Sequence, residues 1–312
     1  MRTITVGTRQ SALALTQTNQ VVEHLKKIAA EHQIACDFTI RRMVTKGDQI
    51  LDVMLSKVGG KGLFVKEIEQ ALLEKHIDIA VHSMKDMPSE LPAGLMIGAI
   101  PEREDARDCL ISKNSWTLDQ LPIGARVGTS SLRRSCQLKS YRPDLQMESI
   151  RGNIDSRIRK LDTEGFDAIM LAAAGLHRMG WEDRITEYLP LDICLPAVGQ
   201  GALAIECRAE DEALLYLLSK YNHRETSIIV NTERAFLKRL DGGCQIPIGA
   251  YGVLFNGHED KAKQEISLTG MVGATEGLEI IKETMSGSDP AVLGVKVAEK
   301  LIERGADRIL GR

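Results

Sequence analysis

At 312 residues the chain is long for a single hydrophobic core, and two or three compact domains are expected. Its 43% apolar and 27% charged content is that of a globular protein, while only 4% aromatic residues argues against base-stacking nucleic-acid modules. A formal net charge of −3 gives no global pull toward nucleic acid or a membrane, so anion recognition has to come from local clusters of Arg and Lys.

The opening residues MRTITVGTRQ carry neither the apolar core nor the cleavage site of a leader, and no run reaches the roughly 18 apolar residues of a spanning helix. The six cysteines, Cys36, Cys109, Cys136, Cys194, Cys207 and Cys244, form no CxxC pair. Reduced thiols and a cytoplasmic location are therefore expected.

Residues 4–8 read as a strand, followed by a helix in which Val21, Leu25, Ile28 and Ala29 fall at helical spacing. Phe64, Ile68, Ala71 and Leu72 repeat that spacing, and residues 77–81 then read as a buried strand. Further strands are expected at 95–100, 126–128, 147–150 and 168–171, with helical patterns between them. The alternation implies α/β domains with largely parallel sheets. Val6-Gly7-Thr8 and Val127-Gly128-Thr129 close two of these strands in the same way, an echo that fits two similar lobes as well as it fits chance.

The last third changes character. Residues 225–240 read as a helix, Asp241-Gly242-Gly243 as a turn, and 249–255, 265–272 and 278–283 as antiparallel strands. A final helix carries Val292, Val295, Val297, Ala298 and Leu301. The expected domains are a discontinuous first lobe (1–100 with 201–219), a second lobe (105–196) and a small α+β domain (223–312).

The window 126–160 holds nine basic residues, Arg126, Arg133, Arg134, Lys139, Arg142, Arg151, Arg157, Arg159 and Lys160, against Asp144, Glu148 and Asp155. Arg133, Arg134, Arg151 and Arg157 lie at or near expected helix starts, where a cation opposes the helix dipole. An anion held between helix end and guanidinium removes the conflict. A solvated basic face is the alternative, and charge alone does not name the anion.

Three other segments stand out. His82-Ser83-Met84-Lys85-Asp86 follows a strand, where a lone carboxylate in a cleft can steady developing positive charge; a plain Lys85–Asp86 ion pair is the competing reading. Lys57-Val58-Gly59-Gly60-Lys61-Gly62-Leu63-Phe64 fits a mobile loop or a simple connection. It is not a GxxxxGK[ST] phosphate loop, because Leu63 follows Lys61-Gly62. Cys207 reads as a buried thiol, whereas Cys244 lies in Gly242-Gly243-Cys244-Gln245-Ile246-Pro247, a loop suited to presenting sulfur to a cavity. A Cys–His nucleophile remains open there.

Together these segments resemble the porphobilinogen deaminases. The resemblance is carried by Thr8-Arg9-Gln10-Ser11, Thr45-Lys46-Gly47-Asp48, residues 57–64, His82-Ser83-Met84-Lys85-Asp86, Gly128-Thr129-Ser130-Ser131-Leu132-Arg133-Arg134, Arg151-Gly152-Asn153, Leu195-Pro196-Ala197-Val198-Gly199-Gln200-Gly201 and Gly242-Gly243-Cys244-Gln245-Ile246-Pro247-Ile248-Gly249. It spans nearly the whole chain. It implies two lobes like type 2 periplasmic binding proteins plus a small α+β C-terminal domain, and a monomer without nucleic-acid, membrane or metal partners.

By the same resemblance, the chain joins four porphobilinogen molecules head to tail into hydroxymethylbilane with loss of four ammonias. The primer is a dipyrromethane cofactor, bound through a thioether to Cys244. Arg9, Ser11, Lys85, Thr129, Ser131, Arg133, Arg134, Arg151 and Arg157, with Arg178 as a further contact, are implied to hold its carboxylates. Asp86 is implied as the catalytic carboxylate, and Lys57, Lys61 and Phe64 as parts of a mobile loop. A polyanion-binding module and a Cys-dependent transferase are the rival readings.

Overall fold

The computed structural model describes residues 1–49, 65–241, 246–256, 264–275 and 279–312. The strands among them are β1 (Arg2–Arg9), β2 (Cys36–Met43), β3 (Ile79–Ser83), β4 (Leu95–Ala99), β5 (Asp108–Ser112), β6 (Arg126–Gly128), β7 (Gln146–Glu148), β8 (Ala168–Ala172), β9 (Glu187–Tyr188), β10 (Leu203–Arg208), β11 (Ile248–Asn256), β12 (Gln264–Gly273) and β13 (Ile280–Gly287). The longer helices are α1 (Ala12–Glu31), α2 (Lys66–Leu73), α3 (Leu132–Tyr141), α4 (Ile154–Thr163), α5 (Ala173–Met179), α6 (Glu212–Tyr221), α7 (Arg224–Arg239) and α8 (Pro290–Glu303). The chain divides into two compact units, Met1–Glu104 with Ala202–Ser227 and Asp105–Gly201 with Ile228–Arg312.

The first unit is built on a sheet of order β2-β1-β3-β10-β4 among the described residues. Ser11 starts α1, its Oγ accepting a hydrogen bond from the Ala14 amide. The helix then buries Val21, Val22, Leu25 and Ala29 against Ile4, Val6, Ile79 and Val81 of the sheet. β2, β1 and β3 are parallel, but β10 runs antiparallel to both β3 and β4.

The second unit contains a sheet of order β7-β6-β8-β5-β9, again with one antiparallel interior strand, β5. The expectation of largely parallel sheets is thus corrected at one strand per lobe. The physical reason is topological: β5 and β10 are the first strands after the chain changes unit, and each enters its sheet without the helical crossover that enforces parallel pairing. The two α/β lobes share one strand plan.

Also within the second unit, β11, β12 and β13 form an antiparallel meander covered by α7 and α8. Asp289 caps α8 by accepting the Val292 amide, and Pro290 occupies the first turn, where its missing N–H costs nothing. α8 lies close on α7 because Gly294 has no side chain: a Cβ there meets the Thr232 carbonyl oxygen and the Phe236 nitrogen, both backbone atoms. Gly294→Ala is therefore expected to cost about 1–3 kcal/mol despite its better helix propensity. A thermal melt checks this, and an unchanged Tm would show that the two helices separate freely.

Candidate active site

In the first unit, β1 and β3 are parallel neighbours, with Val6 opposite Ile79 and Gly7 opposite Ala80, so their carboxyl ends emerge side by side. β1 ends at Arg9, and two residues later Ser11 caps α1. The buried Thr8 hydroxyl donates to the Ala14 carbonyl at 3.2 Å and fixes the strand-to-helix turn. β3 passes into a single 3₁₀ turn, Met84–Asp86. Met84 is buried beneath that turn and its amide donates to the Ala202 carbonyl at 3.0 Å. Gln17 of α1 donates to the Ser83 hydroxyl at 3.4 Å. The fold thus gathers Arg9, Ser11, Lys85 and Asp86 at one sheet edge, with Lys85 and Asp86 half-buried.

In the second unit, the carboxyl ends of the parallel strands β6 and β7 carry Thr129–Ser131 and Ser149–Gly152. The Thr129 amide donates to the Glu148 carbonyl at 2.8 Å, and the Ser130 hydroxyl to the Ile150 carbonyl at 2.6 Å. Ser131 caps α3, accepting the Arg134 amide at 3.4 Å, while its own amide donates to Thr129 Oγ1. Gly152 has a φ of 113°, which a side chain resists, and a Cβ there would press on Ser156. That turn lets Arg157 of α4 donate its Nε to the Gly152 carbonyl at 2.8 Å, beside Arg151. Arg178 lies on α5, after β8, and donates to the Gly201 carbonyl at 2.6 Å. Thr129, Ser131, Arg151 and Arg157 are therefore brought together around two helix starts.

Arg133 and Arg134 have different surroundings from their neighbours. Both are buried, and both guanidiniums converge on Asp108, which has no exposed surface. Arg133 Nη1 lies 2.6 Å from Asp108 Oδ2 and also donates to the Leu195 carbonyl; Arg134 Nε donates to Asp108 Oδ1 at 2.8 Å and its Nη1 to the Met170 carbonyl. Gln200 Nε2 and the Cys194 thiol add donors to the same carboxylate. Burial pushes the Asp108 pKa up. The charges of Arg133 and then Arg134, with hydrogen bonds from Arg133 and Gln200, override it and hold the carboxyl far below its usual range.

Other members of the basic window are matched as well. Arg126 pairs with Glu148, Arg142 with Asp144, Arg159 with Asp155 and Lys160 with Glu164. Six of the nine basic residues are thus engaged by carboxylates, but only Asp108 and Glu164 come from outside the window, so an excess of basic residues remains. Sequence reading missed Asp108 because nothing along the chain links it to arginines 25 and 26 residues away. The signal that existed was two consecutive arginines in the first turn of a helix, at positions that need an acid. Gln200 was visible as part of Gly199-Gln200-Gly201, without its partner. Cys244 and the loop residues Lys57, Lys61 and Phe64 lie outside the described residues.

Among the described residues no helix is long and apolar enough to cross a membrane, and no group of three His, Cys, Asp or Glu is arranged to hold a metal ion. Each α/β lobe carries capped helix starts and guanidiniums at the carboxyl edge of its sheet, donor groups of the kind that suit anionic ligands. Residues 4–216 match the family model described as "Porphobilinogen deaminase, dipyromethane cofactor binding domain", and residues 227–303 match "Porphobilinogen deaminase, C-terminal domain". The chain belongs to the porphobilinogen deaminase family.

It is 59% identical over 305 residues to the porphobilinogen deaminase of Brevibacillus brevis, covering 98% of this chain and 96% of that one. Against the Bacillus subtilis porphobilinogen deaminase it is 57% identical over 313 residues, covering 100% and 96%. Among solved structures it is similar to a Salmonella typhimurium periplasmic binding protein of high arginine specificity, with a TM-score of 0.40 and 15% identity over 73% of this chain and 94% of that one.

Proposed function

We propose that the chain is a transferase of tetrapyrrole synthesis that joins four porphobilinogen molecules head to tail into hydroxymethylbilane, releasing four ammonias. The observation that carries this reading is the family match over nearly the whole chain. The half-buried Met84–Asp86 turn gives it a chemical centre. The reading includes a monomer acting in the cytoplasm.

Each porphobilinogen brings an acetate and a propionate, so the product gathers carboxylates as it grows. The donor set suits them. Ser11, Thr129 and Ser131 offer hydroxyls at helix starts, and Arg9, Lys85, Arg151, Arg157 and Arg178 offer charge at the sheet edges. Arg133 and Arg134 enter through Asp108: the single carboxylate neutralises one of their two charges, and the pair holds the first turn of α3 so that Ser131 and Thr129 face a ligand in fixed positions. Loss of ammonia from the aminomethyl group leaves a cation, and the Asp86 carboxylate stabilises it and takes part in the proton transfers.

A dipyrromethane cofactor carries the same acetate and propionate groups, so the same donors fit it. Bound to Cys244 through a thioether, it supplies the free pyrrole carbon on which the first unit is joined. Cys244 is then an anchor that stays bonded through every cycle. Intact-protein mass spectrometry of freshly purified, active protein tests this: a permanent adduct of two pyrrole units, lost in Cys244→Ser, is expected. An unmodified thiol in active protein would overturn the anchor.

A further inference from the structure

The contact between α2 and the first sheet is made by one face of β3 and β10. Strand alternation sends Ile79, Val81, Leu203, Ile205 and Cys207 into the core under α1 and α6. Ala80 and His82 of β3 and Ala204, Glu206 and Arg208 of β10 take the other face, where Ile68, Ala71 and Leu72 of α2 pack with Leu95. Into this apolar layer, besides Arg208, the chain places three ionisable side chains, Glu69 (6% exposed), His82 (5%) and Glu206 (0%). His82 Nε2 lies 3.0 Å from Glu206 Oε2. Among the described residues, Glu206 Oε1 and Glu69 Oε1 are buried without a hydrogen-bond partner.

Among the described residues, the surrounding elements supply little to balance two carboxylates. β4, also packed on α2, has no titratable side chain. On β10, Arg208 is engaged by Asp78 and by the carbonyls of Leu72 and Ile77, and Cys207 faces the opposite core. On α2 itself Glu67 accepts the Lys46 amide, and Lys66 is exposed. With both carboxylates ionised and the imidazole neutral, the layer holds two negative charges and two oxygens that no donor faces, an expensive arrangement in an apolar setting. No group of three such residues is arranged to hold a metal ion among the described residues, which leaves protons to balance the charge.

We propose that Glu69, Glu206 and His82 form a buried proton-holding cluster that positions the Met84–Asp86 turn for the condensation. Two contacts tie the end of β3 and the turn after it to β10 and the residue before it: the Met84 amide on the Ala202 carbonyl, and His82 on Glu206. A proton kept in the cluster lets Glu206 hold His82 without a second naked charge beside it. Burial, then the negative charge of Glu206, pushes the Glu69 pKa up, against the pull of His82 and Lys66. The three are positioning residues. Their link to catalysis rests on the assignment of Asp86.

The test uses the holoenzyme. At neutral pH its infrared spectrum is expected to show the carbonyl stretch of a protonated carboxylic acid, absent from Glu69→Gln. Glu206→Gln is expected to lower kcat on the order of tenfold with KM unchanged, because the turn is displaced while carboxylate binding is not. A fall of kcat at high pH is expected in the native enzyme as the cluster loses its proton, and is expected to vanish in Glu69→Gln. Stability follows the same sign. A raised folded-state pKa gives Glu69 a contribution present below its unfolded value of about 4.3 and lost as pH rises, so Glu69→Gln flattens that loss. Absence of the protonated-acid band, or a kcat–pH profile unmoved in both variants, would overturn the proposal. The band persists in Asp86→Asn whatever becomes of the catalytic assignment, so the two ideas fail separately.

Discussion

Asp86→Asn is expected to leave the fold intact and to lower kcat on the order of 10²–10³-fold. Asp86 sits half-buried in the 3₁₀ turn, and the turn is fixed by Met84 packing and by the Met84–Ala202 hydrogen bond rather than by its carboxylate. An amide of the same shape therefore preserves the turn while removing the charge proposed to stabilise the cation left by ammonia. That loss corresponds to about 3–4 kcal/mol of barrier. Steady-state kinetics with matched circular dichroism checks it. Near-normal turnover in a folded variant would remove Asp86 from the chemistry.

The largest expected effect on stability is at Asp108. Asp108→Asn leaves two buried guanidiniums facing a neutral amide, and breaking a buried pair in this way costs about 3–5 kcal/mol. For a unit of this size that corresponds to a Tm lower by on the order of 10 °C. The pH dependence follows from the depressed folded-state pKa. The contribution of Asp108 is complete above its unfolded value of about 3.9 and is lost as pH falls below it. Acid titration of stability should therefore be steeper below about pH 4 in the native protein than in Asp108→Asn. Equal acid slopes would mean that another carboxylate governs the transition.

The elements legible in the sequence were those whose pattern is local. α1 and α8 show helical apolar spacing, and the β11–β13 meander alternates in plain view. β2 escaped notice because, as an edge strand, it is half or fully exposed along its length, and its polar residues leave only a weak apolar stripe. β10 was read as part of a segment returning to the first lobe rather than as a strand. Its buried Glu206 and Arg208 break the apolar run expected of an interior strand, and the hydrogen-bond partners His82 and Ile77 lie over a hundred positions away.

The site divides along the same line. Ser11, Ser131 and the glycine at 152 announce turns and caps through neighbours a few residues away, whereas the catalytic role of Asp86 was proposed from family resemblance alone. The partnership of Asp108 with Arg133 and Arg134 is made only by folding. Composition therefore read as a ligand-facing surplus a set of cations that the structure pairs in part with its own carboxylates.

The place of β10 also bears on the order in which the chain is assembled. This strand lies between β3 and β4 and hydrogen-bonds to both. When residue 104 has left the ribosome, the first sheet is still in two pieces, with β4 separated from the rest by a strand whose last residue is 208. The second sheet needs nothing beyond β9, which ends at residue 188. During synthesis, the lobe begun first is thus finished second. Until then it exposes unpaired strand edges, the feature that draws nascent chains into aggregation or into chaperone care.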